Sequence, residues 1–114
     1  MGKFRTVIVY KEYFEDFLKE QSPKVQMKIL QILRIIEEVE VIPERHLKSI
    51  KNAKGLFEIR IIFGSDIFRV FCFFDEGRLV VLLGGFRKKS RKPSQRVIEK
   101  NLRLMKKYYE EKDY

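Results

Sequence analysis

The segment from residue 56 to residue 86 constrains the fold most strongly, because its apolar residues recur with the two-residue period typical of β-strands. The stretches LFEIRIIF and DIFRVFCFF flank Gly64-Ser65, a pair suited to a two-residue type II′ hairpin turn. The stretch RLVVLLGGF follows a second turn at residues 75–77. Three consecutive antiparallel strands are therefore predicted.

Two-residue loops at both turns would pair residue 63 with 66 and residue 75 with 78. One face of the sheet is then wholly apolar and is predicted to be the core face. Its members are Phe57, Ile59, Ile61, Phe63, Phe68, Val70, Cys72, Phe74, Leu79, Val81 and Leu83. On the other face, this register places Arg60 beside Arg69 and Arg69 beside Gly84.

A β-prone run and three helical patterns surround these strands. The β-prone run is Phe4–Val9, and the first helix carries Tyr13, Phe14, Phe17 and Leu18. The second starts at Ser22-Pro23, carries Val25, Ile29, Ile32, Ile36 and Val39 with Leu30 and Leu33 beside them, and ends at Ile42-Pro43. The last starts near Pro93-Ser94 and carries Ile98, Leu102, Met105 and Tyr109.

These patterns predict a single α+β domain over residues 1–114, with the order β-α-α-β-β-β-α. A twisted antiparallel sheet would carry a helical hairpin on one face, followed by a C-terminal helix.

Positive charge is concentrated in one segment. The net charge is +9, and residues 87–107 contain ten Lys or Arg and one acid, so that the rest of the chain is neutral. Such a one-sided distribution is typical of a nucleic-acid interface, and a solvated basic helix is the alternative.

No run of apolar residues reaches membrane-spanning length and no signal-peptide pattern is present, so a cytoplasmic protein without membrane contact is expected. The single Cys72 and single His46 give no metal-ligand spacing, so no cofactor is expected.

Three stretches in order resemble the RelE/HigB group of bacterial toxins from type II toxin–antitoxin systems, and in particular the phage-derived HigB-like subgroup. HLKSIKNAKGLFEIR is similar to the Lys-rich approach to a Leu-aromatic-Glu-Leu-Arg strand in that group. DIFRVFCFF is similar to its Tyr-Arg-Val strand, and LLGGFRKKSRKPS to its Leu-Leu-His-Gly-Phe-x-Lys-Lys signature. The resemblance covers about residues 47–109 and implies a RelE-like fold.

The resemblance implies a metal-independent endoribonuclease that cuts messenger RNA, usually on the ribosome, and so inhibits translation. It also implies a cognate helix-turn-helix antitoxin. Two alternatives stay open: a catalytically weak or inactive relative that binds RNA or ribosomes, and a ParE-like toxin that binds DNA gyrase.

The same resemblance, carried over residue by residue, implies the site. The catalytic candidates are Arg60, Arg69, Lys88 and Lys89, and Lys51 and Lys54 of the basic approach are candidates for RNA binding. The basic segment adds further RNA-binding candidates, which are Arg87, Arg91, Lys92, Arg96, Lys100 and Arg103. Guanidinium groups suit such chemistry because their forked donors match phosphate geometry. Arg60 and Arg69 are expected within reach of one phosphate, and a local salt bridge with Glu58 is the competing interpretation.

Gly84 departs from the resemblance, because many relatives have His there, a natural proton donor or acceptor. Other candidate acids and bases are few. We expect His46 to be a surface residue and Glu58 to be the partner of an arginine. We expect Tyr108 and Tyr109 to be packing residues.

Overall fold

The computed structural model describes residues 3–87 and 93–112. Along the chain the elements are β1 (Thr6–Val9), α1 (Tyr13–Lys19), α2 (Pro23–Glu38), β2 (Leu47–Ser49), β3 (Phe57–Phe63), β4 (Asp66–Asp75), β5 (Leu79–Arg87) and α3 (Gln95–Glu111). The α+β class and the predicted order are confirmed, with β2 as an additional strand. Within the described ranges, every helix is too short or too polar to cross a bilayer.

The sheet is mixed rather than wholly antiparallel. Its strand order is β1-β5-β4-β3-β2, and β1 pairs with β5 in parallel. The expected antiparallel meander forms the centre, and β2 extends it by pairing with the first half of β3. The sequence prediction missed the parallel pair because β1 joins the meander from the far end of the chain.

The β3–β4 hairpin has the predicted register, whereas the β4–β5 register differs from the prediction. Phe63 pairs with Asp66 across a two-residue turn, and Gly64 takes a φ of 63°. Asp75 pairs with Leu79 instead of residue 78, because the second loop has three residues. A bulge between Val70 and Cys72 then shifts the register again. The longer loop reverses the faces expected for the side chains of residues 80–83, and the bulge restores the expected faces at Gly85 and Phe86.

Apolar side chains cover both faces of the sheet, not one. The α1–α2 face packs Ile59, Ile61, Phe68, Val70, Cys72, Val80 and Leu82 against the helical hairpin. The α3 face packs Leu56, Phe71, Phe73, Val81 and Leu83 against α3. Burial of Ile59, Val70 and Leu83 is confirmed, but Val81 and Leu83 lie on the face opposite to the predicted one. Phe63, predicted as core, is 38% exposed at the hairpin tip.

Both long helices begin at the predicted caps. The Ser22 and Ser94 hydroxyls accept hydrogen bonds from the backbone N–H groups of Val25 and Val97, each at 3.3 Å. Helix α2 ends at Glu38, before Ile42-Pro43, and Leu30 on it is half exposed. The Arg5 guanidinium donates to the carbonyl oxygens of Ile36, Val39 and Glu40, which fixes β1 against the end of α2.

The residues that α3 buries differ slightly from the predicted apolar stripe. Asn101 and Leu104 are its buried residues, and Tyr108 packs against the sheet, whereas Tyr109 contacts Phe73 at the edge of this interface and is 37% exposed. The cations Arg96, Lys100 and Arg103 remain exposed, so the division of α3 into a docking side and a basic side is confirmed.

Gly85 is expected to tolerate no side chain. A Cβ there would lie 2.8 Å from both the Arg69 carbonyl oxygen and Phe17 Cδ2, whereas a Cβ at Gly84 would lie 3.6 Å from Asn101 Oδ1. We expect Gly85→Ala to lower the free energy of unfolding by about 1–3 kcal/mol through overpacking. Urea denaturation of both variants checks this, with Gly84→Ala as the matched control. Equal stabilities of the two variants would contradict the packing described.

Candidate nucleic-acid interface

Arg60 and Arg69 are direct cross-strand partners on β3 and β4, as the sequence predicted. Directly paired residues of antiparallel strands project from the same face of a sheet. The two side chains therefore leave the sheet on the α3 face, and Arg60, at the open edge of β3, also borders a pocket next to α2. Their environments nevertheless differ sharply.

Arg69 is completely buried. Its side chain is 0% exposed, and its Nε lies 2.9 Å from Oε2 of Glu58, which is itself 9% exposed at the side chain. Its Cζ lies 6.0 Å from the centroid of the Phe86 ring. The expectation that both guanidinium groups reach one phosphate is therefore corrected, because Arg69 offers no surface to a ligand. Glu58 serves as the predicted partner of an arginine.

Gly84 does not lie beside Arg69. The three-residue loop and the bulge place Phe86 opposite Arg69 instead. The Gly84 N–H donates to Asn101 Oδ1 at 3.2 Å, and Asn101 Nδ2 donates to the Val97 carbonyl oxygen at 2.9 Å. Asn101 thus joins the bulged strand to α3, a role that its position beside the apolar stripe did not suggest.

Tyr108 is engaged in structural contacts. Its hydroxyl donates to Asp75 Oδ2 at 2.7 Å, and Lys112 Nζ lies 2.6 Å from the same oxygen. Burial and the Asp75 carboxylate raise the pKa of Tyr108 to about 12. The hydrogen bonds from Lys112 and Tyr108 lower the pKa of Asp75. Tyr108 therefore holds its proton at neutral pH and fixes α3 on the sheet.

The described RNA-binding candidates are exposed. Lys51 and Lys54 lie in the loop between β2 and β3, and Arg96, Lys100 and Arg103 lie along α3. Lys88, Lys89, Arg91 and Lys92 fall outside the described residues.

Arg87 ends β5 in a defined environment. Its Nη2 lies 2.8 Å from Asp66 Oδ2, and its Cζ lies 5.7 Å from the centroid of the Phe68 ring. The Arg87 side chain is 54% exposed, so this pair is a surface ion pair of small expected energy. Arg87 on β5 is therefore partly engaged by its contacts with β4.

A cationic pocket at the open edge of β3 was not predicted. It has a volume of about 200 Å³ and is lined by Lys28, Ile32, Arg45, His46, Arg60 and Ile62. Strand β2 positions the loop residues, since the Arg60 N–H donates to the His46 carbonyl oxygen at 2.9 Å. The brief alternation in HLKS is the sequence signal for this strand.

Comparisons with known proteins identify a family and a solved structure with a similar fold. The family model described as phage-derived protein Gp49-like matches residues 16–106. A chain in the crystal structure of the archaeal RelE–RelB complex from Pyrococcus horikoshii OT3 is 16% identical, with a TM-score of 0.56. That alignment covers 78% of this chain and 99% of the archaeal chain, and at this identity it shows a shared fold. Among curated proteins, no sequence matches significantly.

Proposed function

The chain belongs to the phage-derived Gp49-like family, and from this premise we propose that it is the toxin of a toxin–antitoxin pair. Its activity is that of a metal-independent endoribonuclease, which cuts messenger RNA on the ribosome and so inhibits translation in the cytoplasm. The RelE-like fold, which confirms the resemblance seen in the sequence, supports this assignment.

The observation that carries the proposal is the one-sided positive charge. Residues 87–107 account for the whole net charge of +9, and the described cations Arg96, Lys100 and Arg103 are all exposed. An exposed basic helix face matches the repeating negative charge of a nucleic-acid backbone. RNA is favoured over DNA because the family resemblance lies with ribonucleases.

The proposed chemistry starts with attack of a ribose 2′-hydroxyl on the adjacent phosphorus. The P–O5′ bond breaks, a 2′,3′-cyclic phosphate forms, and the leaving 5′-oxygen takes up a proton. Arg60 is assigned to the charge that develops on the phosphate oxygens, because fixed donors stabilise such charge most effectively where little water is present. Lys88 and Lys89 are assigned to the same task on the basis of the family signature.

Arg69 is assigned a positioning role. The Glu58–Arg69 ion pair fills the space beneath Phe86 and holds the middle of the β3–β4 hairpin. Arg60 follows Glu58 by two residues on β3 and is the direct cross-strand partner of Arg69. The buried pair therefore fixes the strand that carries the proposed catalytic arginine.

An antitoxin is the proposed protein partner. A groove of about 510 Å³ lies between α2 and the hairpin tip, where Met27 is 72% exposed and Phe63 is 38% exposed. Lys24 and Lys28 also line this groove. Exposed apolar side chains with a basic rim suit an amphipathic, acidic segment of a helix-turn-helix antitoxin. Co-expression with the adjacent gene should yield a stable complex, and the absence of any complex would count against this partner.

Growth and transcript mapping test the function. Induction of the chain without its neighbour should arrest growth and produce new messenger RNA ends in primer extension. Normal growth with intact transcripts would contradict the proposal.

A non-catalytic ribosome-binding relative is the second candidate. Two observations favour it: Gly84 has no side chain, and the Tyr108 hydroxyl is engaged by Asp75. This candidate predicts binding to ribosomes without new transcript ends. Inhibition of gyrase without transcript cleavage would instead identify a ParE-like toxin.

Lys100→Ala should weaken RNA binding without altering the fold. Lys100 is exposed on the basic side of α3 and is expected to neutralise one phosphate. Its loss should reduce the slope of log K against log salt by about 0.7, the contribution of one ion on a single strand. Lys19→Ala, on α1 across the sheet, is the matched control and should leave the slope unchanged. Equal slopes for both variants would contradict an interface on α3.

A further inference from the structure

We propose that the cationic pocket formed by Lys28, Arg45, His46 and Arg60 binds a backbone phosphate of the RNA substrate. This inference rests on the proposed function and adds a binding subsite to it. The pocket includes two elements, α2 and the loop before β2, that the sequence did not connect with RNA.

The pocket lies at the N-terminal end of β2. Leu47 pairs with Ile59, and the Arg60 N–H makes the final hydrogen bond to the loop, at His46. Beyond that point none of the described strands pairs with β3 on this side, which leaves space between α2 and the sheet edge. Lys28 and Ile32 border this space from α2, and they are one helical turn apart.

The lining is strongly electropositive. It carries three permanent cations and one histidine, and none of the described lining residues is acidic. Within the described part of the chain, Lys28, Arg45 and Arg60 form no ion pair. The buried Arg60 Nε also has no hydrogen-bond partner among the described residues. Like charges gathered without a counter-charge favour an anionic ligand.

The size and composition of the pocket fit a phosphodiester. A volume of about 200 Å³ is small for an extended ligand, so one phosphate group fits better than several nucleotides. The apolar walls, Ile32 and Ile62, would exclude water on one side of the anion and strengthen its attraction to the cations.

His46 reports on the charge in the pocket. Burial lowers its pKa, and the charges of Arg45 and Lys28 lower it further. The groups that face it are thus Lys28 from α2, Arg45 from its own loop and Arg60 from β3. An anion bound among these cations should raise the His46 pKa, because it favours the protonated imidazole. His46 is the single histidine of the chain, so its proton resonance requires no further assignment.

The test is an NMR pH titration of His46 with and without a short single-stranded oligodeoxynucleotide. This probe carries the same phosphodiesters but has no 2′-hydroxyl, so it binds without being cut. The pKa of His46 should rise on binding in the wild type and in Lys19→Ala, whose substitution on α1 lies outside both the pocket and the proposed RNA interface. In Arg45→Ala and Lys28→Ala the pKa should start higher in the free protein and respond less to the probe.

Two outcomes separate the pocket from the proposed activity. An unchanged His46 pKa while the oligonucleotide binds would overturn the pocket, even if transcripts are still cleaved in cells. A raised pKa that depends on Arg45 and Lys28 would support the pocket, even if primer extension finds no cleavage. An equal rise with the same concentration of sulfate would overturn the preference for a nucleic-acid phosphate.

Discussion

Arg69→Ala is expected to lower the free energy of unfolding by about 3–5 kcal/mol, because it leaves the Glu58 carboxylate buried without its partner. The loss should appear as a lower urea midpoint with an unchanged slope. Arg60→Ala is the matched control on the paired position of β3. Since Arg60 forms no ion pair within the described residues, its loss should cost about 1 kcal/mol or less.

A double variant distinguishes the ion pair from simple loss of packing. Glu58→Leu with Arg69→Met replaces both charges by apolar groups, and such replacements of buried pairs are often neutral. The double variant should therefore recover most of the stability lost in Arg69→Ala. If Arg69→Ala were as stable as Arg60→Ala, the buried pair would not support the hairpin as described.

Arg60→Ala is expected to slow RNA cleavage by on the order of a hundredfold, by analogy with the loss of one donor to a developing oxyanion. The physical reason is that a forked guanidinium would no longer face the phosphate oxygens in the transition state. Arg60→Lys should recover part of the rate, because it keeps the charge and loses the forked geometry. Single-turnover rates at saturating protein measure the chemical step for all three proteins.

A comparison of cleavage rates requires that the variants keep their fold. Arg60→Ala is suitable because only a small loss of stability is expected for it. Lys54→Ala, in the exposed loop between β2 and β3, serves as a charge-matched control that should affect binding more than rate. A fully active Arg60→Ala protein would remove Arg60 from the catalytic site and leave the fold assignment untouched.

The sequence was sufficient to predict the β3–β4 hairpin. Gly64-Ser65 sets a two-residue turn, so the pairing of Arg60 with Arg69 followed directly. The β4–β5 pairing was not predictable in the same way. The stretch LVVLL is apolar at every position, so its pattern does not distinguish one register from the next.

The apolar layer on the α3 face of the sheet was not predictable for the same reason. Phe71 and Phe73 alternate with Val70 and Cys72, and all four are buried, because helices cover both faces of β4. A strand with two buried faces has a continuous apolar sequence, which conceals its orientation.

Residue type and spacing do not determine how deeply each side chain of the site is buried. Arg60 and Arg69 are the same kind of residue on the same face, yet Glu58 and Phe86 enclose one of them and leave the other partly accessible. The approach of Lys28 to His46 joins α2 to a loop that lies many residues further along the chain. Such long-range neighbours depend on how the helices cross the sheet, and no local pattern encodes that.

End-group analysis of cleaved RNA tests the central claim most directly. The purified chain, with ribosomes and a messenger RNA, should release upstream fragments that end in a 2′,3′-cyclic phosphate. A 2′-deoxy substitution at the mapped position should abolish cleavage there. Ribosome binding without any fragment, or upstream fragments that end in a 3′-hydroxyl, as attack by a metal-activated water would leave, would contradict a metal-independent ribonuclease.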